Sequence, residues 1–161
     1  MNIIIFYFSG TGNTWWVSEQ LKTIFINRRH EVTTYSMERN DLNWAELIPK
    51  LLVENNIIGI GYPVYGSNIP MNVKKWVMCG DTPLLMRRIL KKCGFKIRQA
   101  INIRTLNNLP QMPRIMTWDK LKQGEIFEKA RKKCEKLADY VLKNKKWVMR
   151  RDPITRLIAV F

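Results

Sequence analysis

The stretch FYFSGTGNT, residues 6–14, decides how the rest of the chain is read. It ends an apolar run, NIIIFYF at residues 2–8, with six positions that are glycine or small and polar. An unbroken apolar run of this length marks a strand buried on both faces. Directly after it Val17, Leu21, Ile24 and Phe25 recur at helical spacing, which predicts a helix from about Thr14 to Asn27. The loop between strand and helix is either a plain tight turn or a cradle for a phosphate. Gly10 and Gly12 let the backbone come close to a ligand. Backbone N–H groups at a helix start carry partial positive charge and lack partners within the helix, so they suit an anion. Ser9, Thr11, Asn13 and Thr14 add side-chain donors. The loop holds no lysine or arginine, so dipoles rather than a formal charge would hold the anion. It lacks the lysine of a nucleoside-triphosphate loop, and Trp15 stands where a dinucleotide fingerprint has its third glycine. A monophosphate suits this set best.

The remaining chain alternates strand and helix patterns. HEVTTYS (30–36) reads as a second strand and NIIGIGYP (56–63) as a third, buried one. LNWAELIPKLL (42–52) reads as a helix that Pro49 should kink or split. TPLLMRRILKKCG (82–94) is helical, with Pro83 near its start and Gly94 as its stop, and FKIRQAINIR (95–104) is a further strand. A long helix is expected from Ile126 to Lys143. Phe127, Ala130, Cys134, Leu137, Ala138, Val141 and Leu142 line its buried side, and lysines and arginines cover the rest. Such alternation predicts an α/β doubly wound domain, a parallel sheet with helices on both faces.

Residues 1–161 are expected to form one domain with a basic C-terminal tail at 145–161. The composition, 46% hydrophobic with 11% aromatic residues, is that of a globular chain. No apolar run approaches the roughly 18 residues of a membrane span. MNIIIFYF lacks the basic segment and cleavage site of a signal peptide, so a cytoplasmic location is expected. Cys79, Cys93 and Cys134 are far apart and His30 is the single histidine, so no metal site is expected. The cysteines read as buried filler and His30 as a surface residue. Net charge is +15, and most of the surplus falls in residues 79–161, with twenty-one Lys/Arg against seven acids. Such asymmetry fits a solvated basic surface, nucleic acid, an anionic membrane or an acidic protein.

IFYFSGTGNTWWVSEQL (5–21) resembles the FMN-phosphate signature of flavodoxins, an apolar strand and an aromatic followed by Ser-Gly-Thr-Gly-Asn-Thr. It departs at Ser18, where that family usually has alanine facing the sheet. A second landmark, IIGIGYPVYGSNIP (57–70), is similar to the family's strand and flavin loop. The resemblance implies FMN as cofactor, with Ser9, Gly10, Thr11, Gly12, Asn13 and Thr14 at its phosphate. It implies Pro63, Val64, Tyr65 and Gly66 at the ring, where Tyr65 stacks on the isoalloxazine and the backbone around Gly66 meets N5. CGD (79–81) resembles the loop after the fourth strand, which brings Gly80 and Asp81 to the flavin's other side. Asn107 and Asn108 would form a further loop beside the ring. The likeness is nearest to the flavodoxin half of fused flavodoxin–ferredoxin proteins.

One departure is large. Between Gly66 and Gly80 lie only thirteen residues, against about 30 for a strand–helix–strand unit. Against that family the sequence reads as if the fourth-strand crossover were shortened or deleted, and the fourth strand with it. FKIRQAINIR could then move inward to pair with the third strand; otherwise both sheet edges stay open. The function implied is an FMN-binding electron-transfer protein with no catalytic residues of its own. Basic charge near the ring would make the reduced flavin easier to form than in an acidic flavodoxin. A redox partner is expected, a separate ferredoxin or another acidic protein, and nucleic acid is disfavoured. The tail KNKKWVMRRDPITRLIAVF (143–161) interleaves cations with apolar residues and would suit peripheral membrane contact. The alternatives are an FMN-dependent reductase of quinone-like acceptors, or a truncated flavoprotein remnant acting as a basic binding module.

Overall fold

In a computed structural model the structure describes residues 1–51, 56–63, 96, 98–105 and 120–148. Three strands, β1 (Asn2–Tyr7), β2 (Glu31–Ser36) and β3 (Asn56–Gly61), form one parallel sheet in the order β2-β1-β3. Helix α1 (Asn13–Asn27) joins β1 to β2, and α2 (Trp44–Leu51) lies between β2 and β3. A long helix, α3 (Lys120–Leu142), follows later in the chain. The architecture is α/β.

β1 is central because it is apolar on both faces. Ile3, Ile4, Ile5 and Phe6 are all buried, as its unbroken apolar run requires. Ile3 and Ile5 face one way and form the core with Phe25 of α1 and Ala138 of α3. Leu21, Ile24, Val32, Ile57, Val141 and Leu142 pack around this cluster, so α1 and α3 share one face of the sheet. The other two side chains of the run point oppositely, and there Phe6 stacks on Tyr35 with ring centroids 5.7 Å apart.

The two large helices run parallel. Trp16 meets Phe127 edge-to-face at 4.8 Å near their N-termini, and Arg28 pairs with Asp139 at 2.6 Å near their C-termini. Both end in the same way. His30 N–H donates to Phe25 O and Lys145 N–H to Tyr140 O, around Arg29 (φ 63) and Asn144 (φ 54) in the left-handed conformation. That is the Schellman ending, here made without glycine. The buried stripe of α3 is Ala130, Cys134 and Ala138, as its periodicity predicts. The helix starts at Lys120, six residues before the expected Ile126, and carries the exposed Gly124 within it.

Several expectations need correction. Pro49 does not split α2; it is the sixth residue of a continuous eight-residue helix. Its missing N–H removes one bond, to the Ala45 carbonyl, and the carbonyl of Leu51, the last described residue of the helix, accepts from Asn56 Nδ2 at 2.8 Å. β3 is half-buried rather than buried, because among the described residues only β1 pairs with it. FKIRQAINIR does not move inward to β3. Among its described residues Gln99–Ala100 (β4) is strand, and it pairs in parallel with Trp147–Val148 (β5) in a separate sheet. The Gln99 side-chain amide donates to the carbonyls of Tyr140 (3.3 Å) and Lys145 (2.7 Å), which holds this segment at the end of α3. His30 is partly exposed between α1 and β2. The helix expected at 82–94 and two of the three cysteines, Cys79 and Cys93, lie outside the described residues. No helix among the described residues is long and apolar enough to cross a membrane.

Candidate functional site: the loop after β1

The strand order makes the site. From β1 the chain goes to β2 on one side, and β3 lies on the other, so the order reverses at β1. In open parallel sheets such a reversal leaves a crevice beyond the carboxyl ends of the strands, and ligands bind there. The loop Ser9–Gly12 sits at that end of β1, and Tyr62 and Pro63 follow β3 at the same end.

The loop is held in shape by its own groups. Phe8 N–H donates to Gly61 O at 3.0 Å, which carries the β1–β3 pairing one residue past the strands. Gly12 N–H donates to Ser9 O at 3.2 Å and closes a turn, and Trp16 N–H to Gly12 O at 2.9 Å begins the helix. Gly12 has φ 84 and ψ −20, a left-handed conformation that a side chain resists. A Cβ placed there would meet nothing within 4 Å, so the space beside it is open. As a glycine, Gly12 caps α1 with no side-chain bond, and Ser9 supplies one: its Oγ accepts from Trp15 N–H at 2.8 Å. A hydroxyl that accepts in this way keeps its own proton to donate elsewhere.

Behind the loop, α1 lies close against β3. A Cβ at Gly61 would stand 3.2 Å from Thr14 Cγ2 and 3.7 Å from Ser18 Oγ. Ser18 is 2% exposed, and its hydroxyl donates to Thr14 O at 2.9 Å, so this buried polar group is satisfied within its own helix. Serine thus fills the small-residue position facing the sheet.

The structure therefore brings together Ser9, Gly10, Thr11, Gly12, Asn13 and Thr14, with Gly10 and Thr11 exposed and the others half-buried. Pro63 is half-buried at the end of the neighbouring strand, after Tyr62, whose phenol burial pushes up to about 12. The other sequence-predicted residues, Val64, Tyr65, Gly66, Gly80, Asp81, Asn107 and Asn108, lie outside the described residues.

One residue that the sequence did not single out reaches the loop. Ser9 N–H donates to Glu38 Oε2 at 3.1 Å. The pairing of β1 with β2 has a constant offset, Asn2 with Glu31 through Tyr7 with Ser36. Continued two residues past the strands, it sets Ser9 level with Glu38. Next to it Arg39 is held by the Asp41 carboxylate, which raises the guanidinium pKa and lowers that of Asp41. Burial raises the Tyr7 phenol, with a smaller push from the Glu19 and Glu38 carboxylates. The described charge nearest the loop is thus acidic or paired. It lends no support to a basic surround for a ring.

A loop of amides and hydroxyls around an open, glycine-lined space has the chemistry to hold a monophosphate. Among the described residues no three His, Cys, Asp or Glu side chains group as metal ligands would. Compared with protein-family models, with curated proteins and with solved structures, the chain matches none.

Proposed function

We propose that the chain is a flavodoxin-like protein that binds FMN and transfers electrons. One observation carries the reading: a Ser-Gly-Thr-Gly-Asn-Thr loop opens α1 at the reversal of strand order. The strand order β2-β1-β3 is that of the first three strands of a flavodoxin-like sheet. In this reading the first-turn N–H groups of α1, other than that of Trp15, which Ser9 Oγ takes, face the phosphate. Ser9 both caps the helix and donates its hydroxyl proton to a phosphate oxygen. Thr11, Asn13 and Thr14 add side-chain donors, and Gly12 keeps the approach open. Tyr65 would stack on the ring, and the 64–66 and 80–81 segments would flank it. Bound FMN supplies the electron-transfer chemistry, and the chain contributes binding, stacking and exclusion of water.

The test is a titration of purified apoprotein with FMN and, in parallel, with riboflavin, following flavin fluorescence and visible absorbance. Quenched, saturable binding of FMN, with riboflavin much weaker, is expected. A folded protein that binds neither flavin would overturn the reading.

A further inference from the structure

Among the described residues a group of cations gathers at one end of the fold, away from the loop. Along α3 the cations are paired first. Lys129 meets Glu125, Arg131 meets Glu128 and Glu135, and Lys132 meets Glu128. Beyond Glu135 the remaining acid of the helix is Asp139, and Arg28 takes it. The C-termini of α1 and α3 then bring Arg29, Arg98, Lys143, Lys145 and Lys146 to one pole. The Arg98 guanidinium donates to Asn144 Oδ1 there, and Trp147 N–H to Arg98 O at 3.0 Å. Among the described residues the other carboxylate at this end is Glu31, at the start of β2. Among the described residues no carboxylate pairs with Lys143, Lys145 or Lys146, which are all exposed.

Helix dipoles explain only part of this. Two helix C-termini together amount to about one negative charge, fewer than the cations assembled. The pole is also far from the loop, since the 15 residues of α1 separate them by about 22 Å. A protein exchanging electrons with a flavin at the loop would dock at the loop's end, so this charge does not serve that contact. Beside the lysines sits half-buried Trp147, tilted on Tyr140 at 5.0 Å with Lys136 Nζ 5.2 Å from its ring centroid. The chain leaves β5 here, and the sequence that follows carries Arg150, Arg151 and Arg156 against Asp152, interleaved with Ile154, Leu157 and Ile158.

We propose that this pole docks on an anionic lipid surface. Clustered lysines supply attraction to the leaflet charge. An indole beside them, followed by alternating cations and apolar residues, is the composition of an interfacial segment. An acidic protein or a nucleic acid would use the charge but not the apolar residues between.

Flotation of the full chain with phosphatidylcholine vesicles, with and without about a third phosphatidylserine, tests this. Binding that requires phosphatidylserine and is lost in about 0.5 M salt is expected. The variant Lys143→Gln/Lys145→Gln/Lys146→Gln should bind roughly a hundredfold more weakly. The charge-matched variant Lys122→Gln/Lys129→Gln/Lys132→Gln should stay within about threefold of wild type, because two of its lysines are already paired. Circular dichroism checks that both fold. Equal weakening by the two variants would assign the effect to net charge and overturn the pole. Indifference to phosphatidylserine, or capture by heparin or RNA while vesicles are ignored, would overturn the lipid.

Discussion

The Ser9 backbone N–H is bonded to Glu38 Oε2 at 3.1 Å, so a carboxylate from the neighbouring strand's end stands at the loop proposed for phosphate. An anionic ligand arriving there meets a negative charge already using one of the donors. Glu38→Gln keeps a side-chain oxygen for Ser9 N–H and removes the charge. At a partly solvated site a like charge within a few ångströms is worth about tenfold in affinity after screening. FMN should bind Glu38→Gln about tenfold more tightly, and riboflavin, which lacks the phosphate, should bind it unchanged. A parallel gain for riboflavin would show that Glu38 acts on loop shape rather than on charge.

Gly12 isolates backbone strain from crowding. Its φ of 84 disfavours any side chain, while a Cβ there meets nothing within 4 Å. Gly12→Ala should destabilise the fold by about 1–2 kcal/mol, and Gly12→Asn by less, because asparagine tolerates the left-handed region. Urea unfolding followed by far-ultraviolet circular dichroism reads both. An asparagine variant less stable than the alanine one would mean that the loop, and not the backbone, resists a side chain.

Gly61 presents the opposite case, with ordinary backbone and no room. Its added Cβ would lie 3.2 Å from Thr14 Cγ2. Gly61→Ala should therefore push α1 away from β3, at about 1 kcal/mol or more. Thr14→Ser removes that methyl and keeps the hydroxyl, so the double variant should recover at least about 0.5 kcal/mol of the loss. Additive stabilities in this cycle would show that the helix and strand do not meet there.

What could be read in the sequence follows from local signals. The apolar run of β1, the 3.6-residue spacing of α1 and the Ala130–Cys134–Ala138 stripe of α3 each carry their own pattern, and each stands where that pattern sets it. Ser9–Thr14 were legible for the same reason, since strand, glycine-rich turn and helix are contiguous. Glu38 was not. It reaches Ser9 through the register of two parallel strands separated by a helix, and register is decided by packing, not by the residues of either strand alone. FKIRQAINIR misled because its alternation fits any sheet, whereas the Gln99 amide and the carbonyls closing α3 decide which one it joins. Pro49 does not split its helix because the loss of one bond leaves the neighbouring ones in place.

Burial of Cys134 sets how the fold responds to alkali. The residue is 0% exposed, and burial raises its thiol from 9.0 to about 12. In the unfolded chain the thiol loses its proton near pH 9, while in the folded chain it keeps it. The unfolded state then binds fewer protons, so stability is unchanged below about pH 9 and falls as pH rises toward 12. The slope from this one group approaches about 1.4 kcal/mol per pH unit. Tyr62, raised by burial from 10.0 to about 12, adds a second slope from pH 10. Urea midpoints measured from pH 7 to 10.5 should be flat, then fall, and fall faster above 10. Cys134→Ala removes the first slope and keeps the second, so its curve should stay flat to about pH 10 even if it starts lower. A Cys134→Ala protein that still loses stability between pH 9 and 10 as wild type does would place the titrating group elsewhere.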